Sequence, residues 1–100
     1  MSHMTYNRGM YFDVLGKKVK VKKIKNLREK FSLYGCYNGK DLTIQYDPDQ
    51  SDEEKIDTLI HETIHAFCDI IGMQLDDAIE EILCTNLPRV LMENFDIQCK

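Results

Sequence analysis

Residues 58–67 read TLIHETIHAF, and they lie inside a longer segment, 51–72, whose apolar residues recur at helical spacing. Ser51 followed by Glu54 has the pattern of a capping box, and Gly72 is a typical helix stop. The sequence therefore predicts one long helix across this segment, with two histidines and a glutamate near its middle.

The two histidines are predicted to face a polar space rather than the core. On a helical wheel of about 100° per residue, His65 lies about 40° from His61 and Cys68 about 20° from it on the other side. The apolar residues centre about 230° from His61, and Glu62 lies at about 100°. Histidines placed only for packing would instead sit among the apolar residues.

This spacing suits metal-assisted hydrolysis. Two imidazoles one helical turn apart can bind one tetrahedral Zn²⁺ at about 2.0–2.1 Å. Zinc lowers the pKa of bound water towards about 7, and a neighbouring carboxylate can accept the proton that this water gives up. His61 and His65 are therefore the predicted zinc ligands, and Glu62 is the predicted catalytic residue that activates zinc-bound water.

The HETIH run at 61–65 resembles the HExxH motif of the zincin metallopeptidases. With the preceding hairpin YGCYNGKDLTIQY and a second helix, it is similar to the minimal gluzincins over about residues 32–94. These are the ImmA/IrrE-like peptidases and the small zincin-like proteins of bacteriophages. The metzincin continuation HExxHxxGxxH is absent, because Asp69 and Gly72 follow the motif.

The resemblance implies a zinc-dependent endopeptidase that hydrolyses a peptide bond in a regulatory protein. It also implies a cytoplasmic protein of a bacterial host, with a phage or another mobile element as a candidate source. The first fifteen residues lack the apolar core of a signal peptide, which agrees with that location. We expect a protein or peptide partner, and we expect neither a membrane nor a nucleic acid.

A glutamate of the following helix is the third zinc ligand that the resemblance implies, and Glu80 and Glu81 are the candidates. With Ile79 at zero on the wheel, Glu80 falls at about 100°, inside the apolar sector, and Glu81 at about 200°, outside it. Glu80 is therefore the first choice and Glu81 the second. The apolar sector is defined by Ile79, Leu83, Leu87, Val90 and Leu91.

An alternative metal site uses the cysteines. His61, His65, Cys68 and Cys84 could form a closed, structural Cys₂His₂ site, although Glu62 would then have no task. The chain has no CxxC pair, and the simplest interpretation of all four cysteines is that they are reduced thiols; they are Cys36, Cys68, Cys84 and Cys99.

The remaining pattern predicts an α+β fold: a small antiparallel sheet of about three strands, followed by two antiparallel helices. Lys17–Lys25 alternates lysine and valine like an edge strand, and Asn38-Gly39 predicts a tight hairpin turn. The second helix is predicted over about 76–94, kinked or split at Pro88. We interpret residues 1–3 as an expression-tag remnant and 4–100 as a single zincin-like domain.

The substrate site is less defined. In the proteins that this chain resembles, an extended substrate pairs with the edge strand before the motif helix, which suggests Leu42, Ile44 and Tyr46 here. Candidate donors to an oxyanion are Tyr34, Tyr37, Tyr46 and Arg89, and none is assigned. The oligomeric state stays open.

Charge supports a second function class. Residues 1–47 have ten Lys or Arg against four Asp or Glu, whereas residues 48–100 have three against thirteen. A basic first half could contact polyanions, although charge runs usually only face water. The alternative function is therefore a non-catalytic, zincin-like binding module that contacts protein or nucleic acid.

Overall fold

The computed structural model describes residues 10–95, which form four strands and three helices. The predicted tag remnant at 1–3 and Cys99 lie outside these residues. The elements, in chain order, are β1 (Tyr11–Val14), β2 (Lys17–Lys23), α1 (Leu27–Phe31), β3 (Gly35–Asn38), β4 (Thr43–Tyr46), α2 (Asp52–Ile70) and α3 (Asp77–Asn94). The predicted α+β class, with strands followed by two long helices, is confirmed.

The sheet is mixed rather than antiparallel. Its strand order is β1-β2-β4-β3, with β2 and β4 parallel and the two outer pairs antiparallel. The parallel pair arises because the chain leaves β2, passes through α1 and β3, and returns beside β2 in the same direction. The interior strands are therefore β2 and β4, and the edges are β1 and β3.

Two edge-strand predictions are wrong for this reason. The lysine strand β2 pairs with β1 on one side and β4 on the other. Its valines are buried and its lysines exposed, so the alternation reflects one solvated face of an interior strand. The stretch Leu42–Tyr46 is also interior: Ile44 and Tyr46 are buried in β4, and Leu42 lies in the preceding turn. The edge beside the motif helix is β3.

The β3–β4 hairpin is confirmed, although its turn is longer than expected. Asn38 pairs with Thr43, so residues 39–42 form the connection. The side chain of Asn38 accepts a hydrogen bond from the Lys40 N–H (2.9 Å), which holds the start of the turn.

Helix α2 lies across the sheet and begins and ends as predicted. The Ser51 hydroxyl accepts from the Glu54 N–H (3.1 Å), and the Glu54 carboxylate accepts from the Ser51 N–H (3.0 Å). The chain leaves the helix through Gly72 at φ +69°, a conformation that glycine adopts without strain. Its apolar face joins the core cluster with both central strands; the cluster comprises Met10, Val14, Val19, Val21, Ile44, Tyr46, Leu59 and Ala66.

Helix α3 has the predicted bounds but not the predicted phase. Its buried residues are Cys84 and Pro88, whereas Ile79 is 56 % exposed and Val90 is 51 % exposed. The reason is that the sheet already covers the apolar face of α2, so α3 packs on the polar face that contains the histidines. The helix continues through Pro88, so of the two predicted alternatives, a kink or a split, the split does not occur.

Within residues 10–95, neither of the long helices is apolar enough over sufficient length to cross a membrane.

Candidate metal centre

A cleft of about 590 Å³ opens between the polar face of α2, the first turns of α3 and the edge strand β3. His61, Glu62 and His65 line it from α2, and Glu80 and Glu81 line it from α3. The five residues that the sequence singled out for metal binding and catalysis therefore meet in one cleft. A second cavity of about 300 Å³ shares His61 and Glu62 and continues along β3 towards Tyr34.

The two histidine rings lie side by side on α2, with their centroids 5.1 Å apart. Their Nε2 atoms converge on one carboxylate oxygen: Glu81 Oε1 lies 2.7 Å from His65 Nε2 and 3.8 Å from His61 Nε2. A shared polar face was predicted for the rings, and it is confirmed. Both half-buried rings thus direct a nitrogen to the same point.

Glu80 contacts the other side of the His65 ring. His65 Nδ1 donates to Glu80 Oε2 across 2.6 Å, so Glu80 fixes the orientation of the ring that presents Nε2 to Glu81. The Glu80 side chain is 25 % exposed and that of Glu81 is 59 % exposed. Glu80 faces inward as predicted, but the carboxylate between the two Nε2 atoms belongs to the second choice, Glu81.

Both nitrogens of His65 face carboxylates, an arrangement that favours the doubly protonated, charged ring. Burial lowers the pKa of His65, but the hydrogen bond to Glu80 and the charges of Glu62, Glu81 and Glu80 outweigh it and raise that pKa. The raised pKa favours a proton on Nε2, which faces Glu81. A metal bound at this point would displace that proton.

His61 has the opposite tendency. Burial lowers its pKa, the charge of His65 lowers it further, and Glu81 offsets these effects only in part. The ring is therefore neutral near pH 7 and has a lone pair for a metal.

Glu62 is buried beside the two rings, with 8 % of its surface exposed. Burial raises its pKa to about 7, although the charge of His65 and a hydrogen bond from the backbone of Tyr37 pull it down. A carboxylate with a pKa close to 7 can both accept and return a proton near neutral pH.

Gly35 lets strand β3 approach Thr58 on α2, one turn before Glu62, a feature that the sequence analysis missed. A Cβ at position 35 would lie 2.6 Å from Thr58 Cγ2, 3.0 Å from the Gln45 carbonyl oxygen and 3.5 Å from Glu62 Cγ. A glycine inside a strand pattern is the available sign of such a close approach.

The buried thiol of Cys84 is also part of this centre. Ligand atoms of His61, His65 and Cys84 all lie within 4.8 Å of one another, whereas Cys68 is not in that group. Burial, followed by the charges of Glu80 and Glu81, raises the pKa of Cys84 to about 12. Of the alternative Cys₂His₂ set, three members therefore come together.

The four candidate oxyanion donors have different positions. Tyr37 lines the main cleft and donates its hydroxyl proton to Asp69 Oδ2 (2.7 Å), and Tyr34 lines the adjoining cavity. Tyr46 is buried in the core, and Arg89 lines a separate cavity with Asp57 and Met92. Tyr46 and Arg89 are thus remote from the cleft lining.

The donor set fits zinc by its chemistry. Imidazole nitrogen, carboxylate oxygen and thiolate sulfur are the ligand types that Zn²⁺ takes in proteins. The two imidazoles lie near the Cys84 sulfur on the one hand and near Glu81 Oε1 on the other, and the buried carboxylate of Glu62 lines the same cleft.

Comparisons with protein-family models, curated protein sequences and solved structures found no match to this chain. Any function must therefore be argued from the motif and from the geometry of the cleft.

Proposed function

We propose that the protein is a zinc-dependent endopeptidase whose centre lies in the cleft between α2, α3 and β3. The observation on which this rests is the convergence of His61 Nε2 and His65 Nε2 on one oxygen of Glu81. The buried Glu62 lies next to this point. The proposal makes His61, His65 and Glu81 the zinc ligands and Glu80 the residue that orients His65 through Nδ1.

In this proposal, Glu62 moves the proton. Bound zinc would supply a polarised carbonyl and a water of lowered pKa. The Glu62 carboxylate takes a proton from the attacking water and later gives it to the nitrogen of the leaving amine. Burial supports both steps, because a carboxyl with a pKa of about 7 is not held in one protonation state at neutral pH.

An extended peptide would bind along β3. This strand pairs only with β4 among the described strands, and both cavities lie against it. Apart from the Tyr37 backbone group that donates to Glu62, backbone groups on its outer side are therefore available for β-augmentation. This replaces Leu42, Ile44 and Tyr46, which are covered by neighbouring strands or lie in a turn. By resemblance we also propose a regulatory protein as the substrate and the cytoplasm of a bacterial host as the location.

The proposed activity is tested by incubating the zinc-loaded native protein and zinc-loaded Glu62→Gln with a randomised peptide library. Cleavage of the peptides is detected by mass spectrometry. The variant should keep its fold and its zinc and lose at least about a hundredfold in rate, the lower end of what general-base catalysis contributes. Glu93→Gln, at an exposed position late in α3, is the matched control and should cleave like the native protein. A zinc-loaded native protein that cleaves no peptide in the library would contradict the proposal.

A second candidate function is a polyanion-binding module, and one observation favours it. Lys18, Lys20 and Lys22 project to solvent from an interior strand, where protection of a sheet edge cannot explain them. Affinity for a single-stranded oligonucleotide should then fall steeply with salt, and replacement of the three lysines by serine should abolish binding. Unchanged binding in that variant would remove this candidate.

A further inference from the structure

Cys84 has no part in the hydrolysis proposed above. Its side chain is fully buried (0 % exposed), and its sulfur lies within 4.8 Å of ligand atoms of both His61 and His65. It follows Glu80 and Glu81 by about one helical turn on α3, so it lies on the side of the helix that faces α2.

A buried thiol is usually only a small apolar side chain, and Cys68 is an example. Cys84 differs from Cys68 because its sulfur lies within 4.8 Å of ligand atoms of both His61 and His65, whereas Cys68 does not belong to that group. Apolar packing alone needs no such neighbours. Thiolate sulfur, however, is a strong ligand for the metals that imidazole also binds.

We propose that Cys84 is a ligand of the same metal ion, and that its thiolate closes the position that hydrolysis requires to be open. The inference rests on the proposed function, since it concerns the regulation of that centre. With His61, His65 and Glu81 it gives four protein donors, the number that marks a closed, structural zinc site. A catalytic site has three protein donors and one exchangeable position.

The bond change is simple. The S–H bond of Cys84 breaks, the proton passes to solvent, and sulfur donates an electron pair to the metal. No oxidant or reductant takes part. The centre would thus bind metal tightly and hydrolyse slowly while Cys84 is bound, and it would open when the sulfur dissociates.

Cobalt tests the ligand directly, because thiolate coordination to Co²⁺ gives an intense charge-transfer absorption in the near ultraviolet. The probe is Co²⁺ with the full chain, in which His3→Ala removes a histidine that lies outside the described part. The band should appear with the native cysteines, vanish in Cys84→Ala while Co²⁺ remains bound, and persist in Cys68→Ala, Cys36→Ala and Cys99→Ala. A bound Co²⁺ without the band would overturn the inference and leave the proposed peptidase intact.

Turnover tests the closure. Zinc-loaded Cys84→Ala should cleave the peptide library at least about tenfold faster than the native protein, which corresponds to a barrier lower by about 1.4 kcal/mol. If Cys84→Ala cleaves more slowly than the native protein, and the native protein shows the cobalt band, then Cys84 is a ligand that supports catalysis. That result would overturn the inference that Cys84 closes the open position. A band with no cleavage in either protein would overturn the regulatory role together with the peptidase, and would leave a structural metal site.

Discussion

The two long helices are held in place by different forces. Helix α2 lies against the sheet, where Leu59 and Ala66 are part of the core cluster. Helix α3 packs chiefly on α2, and its buried residues at that contact include Cys84 and Pro88. The apolar residues Ile79, Ile82 and Val90 remain exposed. The difference indicates that core burial positions α2, whereas α3 gains less from apolar burial. On the proposed function, a bound zinc would help to hold α3 in place.

The largest expected effect is a difference in stability loss between an apolar residue of α2 and an apolar residue of α3 when each is replaced by alanine. Leu59→Ala should lower the free energy of unfolding by about 2–5 kcal/mol, because it leaves a cavity beneath α2. Ile79→Ala should change it by less than about 0.5 kcal/mol, because that side chain is already in water. Urea denaturation of both variants measures the contrast. Equal losses would mean that α3 depends on apolar burial after all.

Zinc should act on the two helices unequally. At a free concentration of about 100 times its Kd, a ligand that binds only the folded state stabilises it by about 2.7 kcal/mol. We expect zinc to slow hydrogen exchange of the backbone amides in α3 much more than of those in the core-facing half of α2, because that half of α2 is already held by core burial.

His65→Ala is the control for this measurement, since it should abolish the effect of zinc on both helices. Equal protection of α2 and α3 in the native protein would show that the helices respond as one unit.

Loss of Glu80 should have a smaller effect, confined to the contact between the helices. If Glu80 orients His65 through Nδ1, Glu80→Ala should weaken zinc binding about 10–100-fold, as expected for a residue that supports a ligand. Isothermal titration with zinc measures this, with Glu93→Ala as the control. Glu81→Ala should weaken zinc binding more than Glu80→Ala does. If Glu80→Ala weakens zinc binding more than Glu81→Ala does, then Glu80 is the ligand, as the sequence first suggested.

The smallest expected effect is a pH dependence at the start of α2. Hydrogen bonds from the Ser51 backbone and side chain lower the pKa of Glu54 from 4.5. Because the folded-state pKa lies below the unfolded value, the stabilisation is present above about pH 4.5 and disappears as the pH falls through the lowered pKa.

Glu54→Gln should therefore lose less stability than the native protein between pH 7 and about pH 3, as measured by the midpoint of urea unfolding. The neighbouring Glu53→Gln should lose as much as the native protein. A Glu54→Gln variant that still shows the full acid-induced loss would exclude the capping box as its source.

Helix α2 could be predicted from the sequence because its determinants are local. The cap at Ser51, the stop at Gly72 and the shared face of His61 and His65 depend on residues within a few turns of one another. The face of α3 could not be predicted in the same way. Its apolar stripe predicted the buried side. However, the sheet covers the apolar face of α2, so α3 packs on the polar face of α2 instead.

The sheet was only partly predictable for a similar reason. Alternation in β2 correctly identified which valines are buried, but it contains no information on which strands lie beside it. The strand order depends on the return of β4 past α1, which brings together residues far apart in sequence. The same holds for Gly35, because its need for space arises from Thr58 on α2.

The parallel contact between β2 and β4 has a consequence for how the chain folds. Each of these strands also belongs to an antiparallel pair formed with a close neighbour in sequence, so two local ribbons can form early and independently. The sheet becomes continuous only when the ribbons meet along β2 and β4, across the loop that contains α1. The entropy of closing a loop grows only slowly with its length, and doubling it costs about 0.6 kcal/mol. Insertions near Ser32 should therefore slow the joining of the ribbons only slightly. A proline at Lys20, by contrast, would remove the N–H that donates to the Leu42 carbonyl (2.9 Å) on the β4 side of β2.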